Sequence, residues 1–272
     1  MFRNNTLYLL LFSFIFFSAL IKSEIIGVPG EIIAIQIEDN SNIHETQQLI
    51  IQSENTKYLI VPIPFVKQDT VINIKEFPIK INTKDFGESR ITIANESMVT
   101  LSKEDSERAY KESLLIKNAL NTYTKSNIPS LNFIKPLEGI ISSRYGKKRF
   151  INEKPRSPHL ALDIAAAEGT KIIAPNSGKI ILIGNFFYSG KYAVIDHGHG
   201  LLSSYSHMSE VFVKEGDIVK QGDKIGSVGS SGRVTGPHLH WSVYLNKVRV
   251  NPESLLREGY LNFLLKSAQN SI

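Results

Sequence analysis

The chemistry available to this chain is concentrated in a few histidines and one aspartate of its C-terminal half. In Gly236-Pro-His-Leu-His-Trp-Ser-Val243, an extended backbone puts His238, His240 and Ser242 on one face and Leu239, Trp241 and Val243 on the other. The apolar face suits a half-buried strand, and a strand anchored that way holds two imidazoles in the fixed geometry that metal binding requires. A second pair, His159 and Asp163 in Pro158-His-Leu-Ala-Leu-Asp163, shares a face whether that stretch is extended or helical. Tyr205 and His207, in Ser203-Ser-Tyr-Ser-His207, fall on one face if extended, which would aim a phenol and an imidazole at one reacting centre. The chain has no cysteine, so thiolate zinc sites and a thiol nucleophile are excluded, and any metal must be held by His and carboxylate.

Other polar residues carry competing readings. Arg144 and Arg233 could grip a substrate carboxylate or simply form salt bridges. His197 and His199 repeat the His-x-His spacing, but Gly198 and Gly200 around them make that stretch a turn with a structural role, and Asp196 a turn former. Phe186, Phe187 and Tyr188 line a groove or belong to the core. His44 lies among Asn, Ser and Glu as a solvated loop residue.

The elements that must position these groups read as mainly β. From Phe133 onward, glycine-punctuated runs such as Gly178-Lys-Ile-Ile-Leu-Ile-Gly184 and Tyr192-Ala-Val-Ile-Asp196 predict strands entering and leaving tight turns. Gly216 to Gly226 resembles the hairpin of biotinyl and lipoyl carrier domains, yet no lysine is displayed at a tip for modification. Before this region, Ser102 with Asp105 three residues on predicts a helix N-terminus, and Ala109, Ile116, Leu120 and Tyr123 form one stripe over 102–125. Residues 126–132, with Pro129, then read as a linker. Short β-branched runs between Glu24 and Leu101 predict an accessory β-sandwich-like domain.

Arg3 precedes an apolar run from Leu7 to Ile21 closed by Lys22. That run is short for a membrane span and suits a secretory segment over residues 1–23, either removed or kept as an N-terminal anchor. Ile21 makes a poor cleavage site after Ser23, which keeps the anchor open. With 272 residues, 42% of them hydrophobic and 21% charged, the chain can bury a sizeable core and is not disordered. The net charge of +5 favours an anionic partner, but no Lys/Arg-rich run with interleaved aromatics points to nucleic acid.

Over residues 133–256 the chain resembles the M23 family of zinc metallopeptidases, the lysostaphin and LytM-like enzymes that cut cell-wall peptides. The resemblance rests on His159-x-x-x-Asp163, on Tyr205-Ser-His207, and on Thr235-Gly-Pro-His-Leu-His240. It implies that His159, Asp163 and His240 bind Zn2+ and that His207 and His238 are the catalytic imidazoles, with Tyr205 as a further hydrogen-bonding group. One departure is Ala161, where the family usually has glycine. The N-terminal sandwich and helix resemble, more loosely, the N-terminal domain of exported Gram-negative members, through Val99-Thr-Leu-Ser102 and Arg108. Residues 257–272 are left as a C-terminal tail.

Two His and one Asp leave a tetrahedral zinc one open position for water, as catalytic sites do. The function implied is an exported zinc endopeptidase that hydrolyses amide bonds of peptidoglycan stem peptides or cross-links through a zinc-activated water, in the periplasm or cell envelope. The alternative is a catalytically silent regulator of the same fold that binds the wall and activates another hydrolase. Such proteins typically lack ligands, and this chain lacks none. A β domain tethered by a long helix also makes occlusion of the groove a reasonable expectation.

Overall fold

The computed structural model describes residues 24–38, 47–125 and 128–269. The N-terminal segment 1–23, His44 and part of the linker lie outside the described residues.

The first strands are β1 (Ile25–Gly27), β2 (Ile32–Ile37), β3 (Leu49–Ser53), β4 (Thr56–Pro62), β5 (Thr70–Ile74), β6 (Phe77–Ile81) and β7 (Glu88–Ile91). β2, β4 and β3 form one three-stranded sheet, and β1, β6 and β5 another. In β6, Phe77, Ile79 and Ile81 are buried while Pro78 is exposed, the period of two that a one-sided sheet needs. These three meet Ile35, Ile37, Leu59 and Val61 of the facing sheet and Ile63 just beyond it, giving the expected sandwich-like arrangement.

The helix α1 (Lys103–Leu120) begins where its cap predicts: Ser102 Oγ accepts a hydrogen bond from the Asp105 amide at 3.0 Å. Ile116 and Leu120, from the predicted stripe, pack against Phe186, Tyr192, Val194, Leu202 and Tyr244. The helix therefore lies between the N-terminal and C-terminal parts and along the latter.

The C-terminal part contains β8 (Ile140–Ser143), β9 (Lys148–Ile151), β10 (Lys154–Arg156), β11 (Leu162–Ala165), β12 (Lys171–Ile173), β13 (Gly178–Phe186), β14 (Gly190–Gly198) and β15 (Leu201–Val211). It continues with β16 (Ile218–Val219), β17 (Lys224–Val228), β18 (His238–Leu245) and β19 (Val248–Val250). Ten of these strands form one sheet whose main path runs β16-β13-β14-β15-β18-β11-β8. β18 lies inside it between β15 and β11, and Leu239, Trp241, Val243 and Leu245 are fully buried beneath it. That is the apolar face the sequence assigns to the anchor.

Two connections tie the parts together. β9 and β10 form a hairpin whose turn residues Asn152 and Glu153 have φ of 49° and 60°, and β9 also pairs in parallel with β7. Within the C-terminal tail, after the single turn α2 (Pro252–Leu255), α3 (Tyr260–Gln269) buries Tyr260, Leu264, Leu265 and Ala268. This stripe joins Ile32, Leu49, Tyr58 and Ile60 in the same core as the C-terminal sheet. No helix among the described residues is long and apolar enough to cross a membrane.

Candidate metal centre and its groove

Three side chains converge on one point of the sheet face opposite the Trp241 core. Asp163 on β11 and His240 on β18 are direct cross-strand partners, which brings their Cβ atoms to within about 5 Å. His159 arrives from the loop before β11. Its amide donates to the Lys147 carbonyl and its own carbonyl accepts from the Gly146 amide. Gly146 has φ +90°, and a Cβ there would lie 2.3 Å from the Phe86 ring, so the turn that pins His159 requires glycine.

His159 Nε2 is 3.0 Å from Asp163 Oδ1 and 3.2 Å from His240 Nδ1, and His240 Nδ1 is 2.7 Å from Asp163 Oδ1. Four-coordinate zinc with bonds of 2.0–2.2 Å would hold its ligand atoms about 3.3–3.6 Å apart, which a small outward shift of these side chains provides. His159 Nδ1 donates to the Arg144 carbonyl at 3.1 Å, which leaves Nε2 as a lone pair. A lone pair facing a carboxylate oxygen and a second imidazole nitrogen is an arrangement that a cation satisfies. These residues form a group capable of holding a metal ion.

The electrostatics suit the same role. Burial would raise the Asp163 carboxyl, but His240 and His159 beside it outweigh burial and hold it well below the usual carboxylate range. Burial pushes His240 down to about 4 against the pull of Asp163. Burial, with His240 and His238 nearby, pushes His207 down to about 3. His207 and His240 are therefore neutral near pH 7, the state in which imidazole can act as a ligand or accept a proton.

The structure brings His207 and His238 to this centre. Their ring centroids are 5.0 Å apart, and His207 is 5.8 Å from His240. Each is held through Nδ1, which donates to the carbonyl of Ser231 from His207 and of Gly236 from His238, both at 2.9 Å. The Nε2 atoms are left for other partners, and that of His238 lies 4.0 Å from Asp163 Oδ1.

Tyr205 does not join them. It is fully buried, with its hydroxyl 2.6 Å from Ser203 Oγ, which is 2.8 Å from His197 Nε2. Alternation sends Ser204 and Ser206 to the groove and Tyr205 to the core. His207 escapes the alternation because its φ is +65° and β15 carries an extra residue there: Lys191 pairs with Met208 but Ala193 with Tyr205. The shared face of Tyr205 and His207 assumed an unbroken strand. The Arg144 side chain is exposed and paired with Glu253, so only its carbonyl serves the centre. Arg233 does line the groove, with its guanidinium 4.1 Å from the centroid of the Tyr188 ring. Ala161 is fully buried and off the groove wall.

The groove has a volume of about 1150 Å³. Its floor follows the outward face of β18, from His238 through His240 and Ser242 to Tyr244. Its far wall includes Pro64, Phe65, Ile91 and Ile93 of the N-terminal part and Ser113, Ile116 and Lys117 of α1.

Residues 157–252 match the model of Peptidase family M23. An uncharacterised metalloprotease of Buchnera aphidicola is 40% identical over 116 residues, 42% of this chain and 31% of that protein. The peptidoglycan DD-endopeptidase ShyA of Vibrio cholerae is 38% identical over 112 residues, 41% of this chain and 26% of that protein. The chain thus spans about a third or less of the length of these relatives. A crystal structure from Pseudomonas aeruginosa, assigned to peptidase M23, superposes with a TM-score of 0.66 at 29% identity, covering 84% of this chain and 94% of that one. This last likeness extends well beyond the matched M23 residues.

One residue of this groove was not legible in the sequence. Arg149 on β9 lines the groove, with Nη2 3.9 Å from Asp163 Oδ2. Its strand turns at Asn152-Glu153, and the absence of glycine after Asn152 hides the hairpin signal.

Proposed function

We propose that this protein is an exported zinc metalloendopeptidase that hydrolyses amide bonds in peptidoglycan peptides or their cross-links. The observation that carries this reading is the convergence of His159 Nε2, Asp163 Oδ1 and His240 Nδ1 beside two further imidazoles held in one orientation by backbone carbonyls. The match of residues 157–252 to the M23 model and the names of the relatives support the substrate class. Peptidoglycan lies outside the cytoplasmic membrane, and the apolar run behind Arg3 supports delivery to the periplasm or cell envelope.

His159, Asp163 and His240 would hold the zinc, which when bound supplies a Lewis acid able to activate water and polarise an amide carbonyl. His207 and His238 donate through Nδ1, so each presents an Nε2 lone pair to the groove. Either can take a proton from the attacking water, then, as imidazolium, hydrogen-bond the tetrahedral oxyanion or return the proton to the leaving amine. The groove along β18 accepts an extended peptide beside that centre. Tyr205 has no part in these steps. The test is zinc content and fragment release from cell-wall sacculi, on residues 24–272 and on His240→Ala. One zinc per chain with release, both lost in the variant, is the expected result; zinc without release would instead favour the regulator reading.

A further inference from the structure

Beside the metal-binding cluster stands a cation that the hydrolysis just described does not use. Arg149 reaches from β9 to the groove, and its Nε is buried with no hydrogen-bond partner. A guanidinium is a planar fork of donors, and a buried donor without an acceptor is costly, so such groups are normally paired. Asp163 does not serve as that partner. Its Oδ1 points into the cluster towards His159 and His240, and its Oδ2 stands 3.9 Å from Arg149 Nη2, beyond hydrogen-bonding distance.

The surroundings carry the same sign. Asp163 is the one acidic residue among the described groove-lining residues, whereas Lys117, Arg149, Arg233, Lys247 and Arg249 all line it. Burial and the neighbouring Arg249 disfavour the charge on Arg149 against the pull of Asp163, and burial, Arg156 and Arg149 disfavour that on Arg233 against the pull of Tyr188. Arginine nevertheless stays charged in proteins. A metal cation at the centre would add further positive charge. The groove is therefore built for an anion that arrives with the ligand.

We infer that Arg149, in the positive field it shares with Arg233, binds a free carboxylate on a substrate residue flanking the scissile amide, and so selects anionic peptides over neutral ones. The planar fork of Arg matches a carboxylate bidentately. Its position limits which residue is read: one peptide unit spans about 3.3–3.6 Å, so a guanidinium 3.9 Å from a carboxylate of the metal cluster lies within reach of a residue close to the bond being cut. Calling the ligand a substrate rests on the peptidase reading; the existence of the anion subsite does not.

Binding tests the subsite separately from hydrolysis. Zinc-loaded residues 24–272 are titrated by calorimetry with two blocked alanine-based tetrapeptides that differ at one inner residue, glutamate in one and glutamine in the other. Wild type is expected to bind the carboxylate form about 10- to 100-fold more tightly. Arg149→Met should bring the two to equal affinity with zinc content unchanged, and Arg149→Lys, which keeps the charge without the fork, should retain part of the preference. Equal binding by wild type overturns the inference, whether or not the variants fold. So does a preference that persists in Arg149→Met. Loss of zinc in that variant would make Arg149 a support for Asp163 instead. Fragment release from the same peptides bears on the peptidase reading alone.

Discussion

The chain contains two His-x-His triplets, and the fold treats them differently. His238 and His240 sit on β18, where unbroken alternation puts both rings on the groove floor above a buried Leu239 and Trp241. His197 and His199 flank Gly198, whose φ is +97°, and His199 itself has φ +50°. The second pair is therefore split. His197 turns into the core, where it bridges the Ser177 carbonyl and the Ser203 hydroxyl, while His199 lies at the end of the strand, its ring edge-on to Tyr123. Identical spacing yields a shared site only where the backbone keeps its period of two. A glycine in the left-handed region is enough to break it.

The largest expected difference between the triplets is in metal. His240→Ala should abolish zinc binding and reduce peptidase activity by about 10³-fold or more, whereas His197→Ala should leave one zinc per chain; metal analysis of the two purified variants checks this. Equal zinc in both would remove the functional distinction. Next come the imidazoles that flank the ligands. His207→Ala and His238→Ala should each keep the metal and lower the hydrolysis rate by about 10²- to 10⁴-fold, measured on sacculi at saturating zinc.

Smaller effects should appear in stability. Burial lowers the pKa of His197 from 6.5 to about 4, so on acidification the unfolded chain takes up that proton first. The resulting stabilisation is complete above pH 6.5 and is lost as pH falls towards 4, on the order of 3 kcal/mol in all. His197→Gln should flatten this part of the profile, read as the difference between urea midpoints at pH 7 and pH 4.5. Smallest of all, Gly198→Ala should cost about 1–2 kcal/mol through its positive φ without changing zinc content.

The same contrast explains what could be read from the sequence. His159, Asp163, His207, His238 and His240 were all legible, because their side chains are specified by short motifs and, for β18, by a clean apolar alternation. The mainly β fold, the Ser102 cap and the Ile116–Leu120 stripe were legible for similarly local reasons. Tyr205 was misjudged because the extra residue in β15 and the left-handed His207 leave no mark in residue type. Arg144 contributes a carbonyl, which any residue could supply, while its side chain goes to Glu253. Arg149 and the stripe of α3 were missed because their significance arises only from contacts distant in sequence, with Asp163 and with the β2 sheet.

Those distant contacts impose an order on how the molecule is made. Glu31, just before β2, accepts a hydrogen bond from Ser254 across 223 positions of chain, and the neighbouring face of Ile32, Leu49 and Tyr58 shares its core with Tyr260, Leu264 and Leu265. The β2-β4-β3 sheet is thus covered by a helix that is synthesised well after it. Until α3 arrives, that sheet must pass through translation and any export with an uncovered oily side. Exposed apolar surface of that kind invites aggregation, so these strands are where a chaperone would act.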